Sequence, residues 1–502
     1  MNTPKPVFIT SAIPYVNAEP HLGHALELVQ SDALARHQRA CGRDVRFTSG
    51  TDDNSLKNVR AAARAQTTPT ELVARYGAEF RRLAQTLHVA HDDFIHTASD
   101  PRHARAVHAL WQRCAANGDL YKKAYRGLYC VGCESFLRES DLVEGACPVH
   151  AEPLELLDEE NWFFRLSRYA EPLLEAIDSD RLEILPNERK NEVCQFIRAG
   201  LDDFSVSRSH ARAKGWGIAV PGDESQIVYV WFDALANYLS VLGYPDGAAF
   251  ERYWQSSGER WHVIGKDILR FHAVYWPAIL LSAGLSLPSS LRVHGLITSQ
   301  GKKLGKSLGN AVDPFRLVAR YGVDPVRYYL LGHLHTTKDS DFREELLRTA
   351  YSSELAGKLG NLVQRVCALC VRHAVAIVSS ELDAGLLETA QRTRAATLRA
   401  FRNFAFHDAL RAIFELIAAT NRHVDSTAPW QLAQRASDAA SSDERRAAAL
   451  ALSRALSSDV HALTVSAELL APFLPETARA IQARLCPTPS LGEPLFPRLV
   501  PS

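Results

Sequence analysis

Residues 7–12 form an unbroken β-favouring run that Pro14 and Pro20 stop, and residues 22–38 then place apolar side chains at helical spacing. A second apolar segment, residues 45–47, leads into the turn-rich Thr48-Ser49-Gly50-Thr51. The alternation returns at residues 227–232 and 261–264, two β-favouring runs that each precede a helical stretch. Strands alternating with helices predict an α/β fold, a parallel sheet of Rossmann type covered by helices on both faces. Between about residues 119 and 221 glycines, cysteines and charged turns dominate, and the texture is that of an insertion. From Tyr328 to Arg484 strand signals almost vanish, and Ala, Leu and Arg alternate in the manner of an all-α helix bundle.

Length and composition sharpen this only modestly. At 502 residues the chain exceeds one ordinary core, so about three domains are expected. Hydrophobic residues at 46% with charged residues at 23% describe a globular enzyme rather than a disordered or fibrous chain. The first ten residues hold one lysine and no apolar run of signal length, and the longest apolar stretch, residues 273–287, is short for a bilayer and interrupted by Pro277. The expectation is a cytoplasmic protein with no membrane partner. A net charge of zero neither supports nor excludes a nucleic-acid partner, because phosphate binding depends on local patches. One basic stretch exists, with Arg189, Lys190, Arg198, Arg208, Arg212 and Lys214, and is equally consistent with a solvated surface.

Nine cysteines without a leader argue against disulfides. Cys41, Cys114, Cys194 and Cys486 are scattered and read as small core residues, and Cys367 with Cys370 reads as helix packing. The remaining pair of pairs differs. Cys130-x-x-Cys133 followed by Cys147-x-x-His150 supplies three thiolates and one imidazole, which suits tetrahedral Zn2+ in a closed, structural site.

Two further segments carry phosphate chemistry. His21-Leu22-Gly23-His24 opens the first long helix, where unpaired N–H groups favour an anion, Gly23 permits close approach and two imidazoles share one face. By itself the motif also fits a chance pattern in a helix. Lys302-Lys303-Leu304-Gly305-Lys306-Ser307 is a basic loop that could close over a triphosphate or could be an exposed turn.

Taken together, and with Ile13-Pro14-Tyr15-Val16-Asn17, Val230-Trp231-Phe232-Asp233-Ala234, Ile264-Gly265-Lys266-Asp267-Ile268, Phe271-His272 and Trp276-Pro277, these segments resemble the methionyl-tRNA synthetases, class I aminoacyl-tRNA synthetases, from about Val7 into the helical half. The resemblance implies an enzyme that activates methionine with ATP (and Mg2+) and loads it onto tRNA(Met). It implies four segments: residues 1–118 and 223–345 as the halves of a Rossmann catalytic domain, 119–222 as a connective insertion with the zinc knuckle, and 346–502 as a helical anticodon-binding domain. A methionine site would comprise Ile13, Tyr15, Trp231, Ala234, Leu235, Tyr238, Ile268, Phe271, His272 and Trp276, with Asp52 on the α-ammonium. Aromatic walls suit a polarizable thioether, and one carboxylate suits an amine. ATP would meet His21, Gly23, His24, Gly265, Asp267 and Lys306, with His21, His24, Lys303 and Lys306 serving the chemistry. Asn361, Arg365 and Trp430 would read the anticodon by hydrogen bonding and stacking. A monomer is expected.

The chain departs from the family pattern at three places. Asp53-Asn54-Ser55 stands where Glu-His-Gly is usual, Leu304-Gly305 where Met-Ser is usual, and Met1 is the sole methionine. Leucine for methionine nearly conserves volume, and Gly305 should loosen its loop. These marks keep open an alternative: a synthetase-like paralog that passes an adenylated amino acid to a small acceptor, as in hydrazine-type natural-product biosynthesis.

Overall fold

The computed structural model describes residues 5–130, 135–137, 142–143, 145–147, 154–256, 258–299, 301–303, 311–378 and 380–499. By their contacts these divide into two units. One holds residues 1–31, 38–85 and 89–294; the other holds 32–37, 86–88 and 295–502.

The first unit is built on a six-stranded, wholly parallel sheet. Its spatial order is Asp93–His96, Val45–Thr51, Val7–Ser11, Glu259–Gly265, Ser290–His294 and Glu183–Leu185. Val7–Ser11 is buried along its whole length, as a strand covered on both faces must be. Chain order reverses beside it, between its neighbours Val45–Thr51 and Glu259–Gly265. In an open α/β sheet such a switch point leaves a crevice at the carboxyl ends of the strands. Residues 12–15, 52–54 and 265–268 follow directly from those ends.

Three local expectations need correction. Thr48-Ser49-Gly50-Thr51 is strand rather than turn, continuing Val45–Thr51. Gly50 is there for closeness: a Cβ on it would lie 2.4 Å from the Ile95 carbonyl oxygen of the adjacent strand. Residues 227–232 do not form one strand. Asp223–Val228 ends the strand, and Val230–Leu235 is a short helix whose Asp233 N–H donates to Tyr229 O at 3.0 Å. A short apolar run buried all round carries no periodicity to separate the two forms. Within the stretch read as an insertion, Glu183–Leu185 pairs in parallel with Ser290–His294 and adds an edge to the main sheet.

The rest of that stretch contains an antiparallel ribbon, Leu120–Cys130 against Glu155–Phe164, paired from Leu120↔Phe164 to Tyr129↔Glu155. Cys41 and Cys486 are exposed, against the core reading, while Cys114, Cys194, Cys367 and Cys370 are buried. Small side chains at helix ends and in tails face no packing demand.

The second unit is mainly helical, with long helices at Ala384–Arg402, Phe406–Thr427 and Ser442–Leu470 packed through Leu386, Ala390, Leu416, Ala462 and Val465. Its fully buried Arg327 is satisfied by Asp32 (2.7 Å) and by the carbonyls of Leu87, Pro472 and Phe473 (3.0, 3.0 and 2.8 Å). A buried guanidinium tolerates its desolvation only with such complete pairing. Among the described residues no helix is long and apolar enough to cross a membrane.

Candidate active site

The chain leaves the Val7–Ser11 strand through Ile13, Pro14 and Tyr15. Asp52 N–H donates to Pro14 O at 2.9 Å, and Tyr15 forms an isolated parallel bridge with Asp52, so the two switch-point strands deliver both residues together. Asp52 is buried at 3% exposure. Tyr15 meets Trp231 edge-on at 6.5 Å, and Lys57 Nζ lies 4.3 Å from the Tyr15 ring centre.

Trp231 stacks flat on Phe271 at 3.6 Å with planes 5° apart, and its edge meets His272 at 6.3 Å. Ala234 and Leu235 are buried on the Trp231 helix. Behind them lies a hydrogen-bonded aromatic chain. His272 Nδ1–H donates to Ile268 O at 2.9 Å, which leaves His272 Nε2 to accept the Tyr238 hydroxyl at 2.8 Å. Tyr238 stacks on His262 at 4.0 Å; Trp276 Nε1–H donates to His262 Nε2 at 3.3 Å, so His262 Nδ1–H faces Thr10 Oγ1 at 2.7 Å. Burial lowers the His272 pKa to about 4 and that of His262 well below its ordinary value, with the neighbouring imidazole lowering His262 further. Both are buried neutral rings, each with one nitrogen donating and the other accepting. Thus Ile13, Tyr15, Asp52, Trp231, Ala234, Leu235, Tyr238, Ile268, Phe271, His272 and Trp276 all fall in the switch-point region of the first unit.

His21 and His24 stack at 3.9 Å with planes 17° apart. Gly23 N–H donates to His21 Nδ1 and His21 N–H to His24 Nδ1, each at 3.1 Å, so the ring proton of each sits on Nε2. Burial, and then the neighbouring His21 imidazole, hold the His24 pKa well below the usual value. A neutral imidazole with a committed N–H can donate to a phosphate oxygen without itself ionising. Any side chain at Gly23 would lie 2.9 Å from His21 Cε1, so glycine preserves the ring's position. Gly265 ends its strand, and Asp267 follows on an exposed turn. Nearby, His294 Nε2 pairs with Glu27 Oε2 at 3.1 Å, and burial raises the Glu27 carboxyl despite that partner.

Lys302–Lys303 forms a strand antiparallel to Ile297–Ser299 in the second unit; Leu304, Gly305 and Lys306 lie outside the described residues, as do Cys133 and His150. Cys130 ends the ribbon strand and Cys147 is buried; neither is disulfide-bonded. In the second unit Asn361 is exposed at the start of Asn361–Arg372. Arg365, one turn on, pairs with Asp425 at 2.9 Å and donates to Asn421 Oδ1 at 3.4 Å. Trp430 is 44% exposed, following Pro429 and the left-handed Ala428 (φ 43°) that separates two helices. It is no core residue.

The family model "tRNA synthetases class I (M)" matches residues 7–155 and 149–367. The chain belongs to that family. A methionine–tRNA ligase of Brucella suis biovar 1 is 42% identical over 436 residues, covering 85% of this chain and 83% of that protein. The Mycobacterium tuberculosis methionine–tRNA ligase is 38% identical over 526 residues, covering 99% and 98%. The solved Mycobacterium tuberculosis methionyl-tRNA synthetase in complex with methionyl-adenylate superposes at a TM-score of 0.90 with 36% identity, covering 98% of this chain and all of that one.

The departures from the family pattern have local partners in this synthetase. Ser55 caps the helix Leu56–Arg64, its Oγ accepting Lys57 N–H at 3.0 Å. Asn54 Nδ2 donates to Asp233 Oδ2 at 2.8 Å. Asp53 N–H donates to Thr97 Oγ1 at 2.8 Å, and burial pushes the Asp53 carboxyl up to about 7 against hydrogen bonds from Thr51 and the Ala98 amide. Sequence reasoning missed His262, His103, Asp233 and Glu27. The available signal was a single polar residue inside an otherwise apolar run, as at Asp233 and His262; alone it says that the group is paired, and not with what.

Proposed function

We propose that this chain activates methionine with ATP and transfers it to the 3′ end of a methionine tRNA. The likeness to methionine–tRNA ligases along almost the whole chain, 38% identity over 526 residues with the Mycobacterium tuberculosis protein, carries the reading. The methionine carboxylate attacks the α-phosphate of ATP·Mg2+, expelling pyrophosphate; a ribose hydroxyl of tRNA then attacks the adenylate carbonyl, expelling AMP. Because the relatives are matched over most of their own length, a small-molecule acceptor is not retained.

Within that reading Asp52 holds the α-ammonium, and Tyr15, Trp231, Phe271 and Trp276 wall the thioether with Ile13, Ala234, Leu235 and Ile268. The Tyr238–His272 pair supplies a hydroxyl edge. His21 and His24 donate Nε2–H to phosphate oxygens as charge develops, Lys303 and Lys306 neutralise the departing pyrophosphate, and Gly265 and Asp267 face the ribose. Asn361, Arg365 and Trp430 read the anticodon, Arg365 exchanging its Asp425 partner for a base edge. Residues 1–118 and 223–345 form the catalytic domain, 119–222 the connective insertion apart from the edge strand Glu183–Leu185 that it lends to the catalytic sheet, and 346–502 the anticodon domain, in a cytoplasmic monomer. Methionine should support ATP–pyrophosphate exchange better than any other proteinogenic amino acid, and the protein should methionylate tRNA. A preference for glycine, alanine or lysine refutes the assignment.

In the connective insertion Cys130, Cys133, Cys147 and His150 would hold Zn2+. Three thiolates and an imidazole in two tight pairs fit a closed tetrahedral shell, and the burial of both Cys130 and Cys147 suits it. When bound, the ion cross-links a segment too small for a core of its own. Elemental analysis should find about one zinc per chain. Cys147→Ser should remove it and lower tRNA charging more than adenylate formation; a metal-free native protein refutes the site.

A further inference from the structure

The methionine site is walled from two sides, and both walls trace back to residues 52–54. The Tyr15 wall is tied there by backbone, through Asp52 N–H to Pro14 O at 2.9 Å and the Tyr15↔Asp52 bridge. The Trp231 wall is tied by side chains. Asp233, 1% exposed and two residues beyond Trp231 on the same short helix, receives Asn54 Nδ2–H on Oδ2 at 2.8 Å and His103 Nε2–H on Oδ1 at 2.5 Å. His103, itself fully buried, reaches Ser240 Oγ through Nδ1 at 2.9 Å. The 52–54 segment is stiffened in turn. Asn58 Nδ2 donates to the carbonyls of Asp52 and Asp53 at 3.0 and 2.9 Å, and Trp216 Nε1–H donates to Asp53 O at 2.8 Å.

We infer that Asn54 and Asp233 are positioning residues for methionine: their hydrogen bond sets the separation between the Asp52 carboxylate and the Trp231 ring. The inference rests on the function proposed above and adds to it a residue pair that touches no substrate. Three observations carry it. The helix Val230–Leu235 has only six residues and no side-chain cap, so its own backbone fixes its place weakly. A buried carboxylate is held where its donors are, because leaving a lobe unpaired costs far more than a neutral bond gains. Trp231 contributes its face to Phe271 and its edge to Tyr15, so a shift of its helix opens both contacts at once. The same geometry gives a reason for asparagine at a position where histidine is the pattern. Asn Nδ2 and a protonated His Nδ1 stand equally far from Cβ, and either can donate to Asp233.

The test is steady-state ATP–pyrophosphate exchange on the full-length protein, varying methionine and ATP separately, with thermal unfolding as a control for folding. Asn54→Leu keeps the shape and removes the donor; it should raise the methionine KM about 10- to 100-fold while moving the ATP KM less than about twofold, within the scatter of independent sites. Asn54→His should restore the methionine KM. Should Asn54→Leu not fold, Asn54→Ala removes the donor with a smaller side chain and should produce the same selective rise. A folded Asn54→Leu or Asn54→Ala variant with a wild-type methionine KM overturns the inference, as does an equal rise for both substrates or an Asn54→His variant as impaired as the leucine one. A wild-type protein without methionine-dependent exchange overturns the functional reading instead.

Discussion

Lys306→Ala should lower methionine-dependent pyrophosphate exchange by ~10²–10³-fold, the usual cost of one preorganised charge contact to a transition state, and leave the thermal midpoint within a degree or two, as surface substitutions of ~0.5 kcal/mol do. The asymmetry follows from how the loop is mounted. Its base is an antiparallel pair, Thr298↔Lys303 and Ser299↔Lys302, and Asp341 pins the turn by accepting Gly301 N–H and Thr298 Oγ–H, each at 3.0 Å. Lys306 stands between Gly305 and Ser307 in the sequence, so its truncation removes a charge and no wholly apolar side chain. On the function proposed above, Lys306 acts where negative charge accumulates on the departing pyrophosphate. Exchange at a near-normal rate in a folded Lys306→Ala protein would remove this loop from the chemistry.

Asp52→Asn should raise the methionine KM by ~10²–10³-fold, corresponding to the roughly 3–4 kcal/mol lost when a buried charge pair loses one partner. The ATP KM should change little. Asp52 is 3% exposed, so an ammonium held there would be stripped of water and depend on that carboxylate. Asparagine preserves the shape and the backbone bond to Pro14 O, so any loss reports charge rather than packing. Equal weakening of methionine and ATP would mean that Asp52 organises the switch point instead of holding an amine. Measuring methionine analogues without the amino group decides the matter, since they should lose the same factor on wild-type protein and nothing further on the variant.

The residues that the structure gathers at the switch point were legible as motifs because each motif lies at the end of an element whose pattern is local. Ile13 and Tyr15 follow a buried strand, His21 to His24 open a helix, and Phe271 to Trp276 recur at helical spacing. Thr48 to Thr51 carry turn residues, yet run as strand because the neighbouring Ile95 carbonyl leaves room only for a glycine at position 50. The 227–232 run was split between strand and helix because burial on all sides erases periodicity. Glu183–Leu185 is three residues long, too short for a sequence signal, and becomes a strand only because Ser290–His294 offers an edge.

Alternation of apolar runs, breakers and helical spacing determined from sequence alone that this chain is α/β followed by α, and that its chemistry gathers in a few motifs. Those are properties of neighbours along the chain, set by steric and hydrophobic preferences acting over a few residues. Which polar groups meet was decided only in three dimensions. Asn54 and Asp233 are 179 positions apart, Thr10 and His262 are 252 apart, and Arg327 finds Asp32, Leu87 and Phe473 from three distant segments. A buried hydrogen-bonding group must be satisfied, but its sequence position does not specify the partner; the packed fold does, by excluding water and leaving one geometry in which every donor has an acceptor.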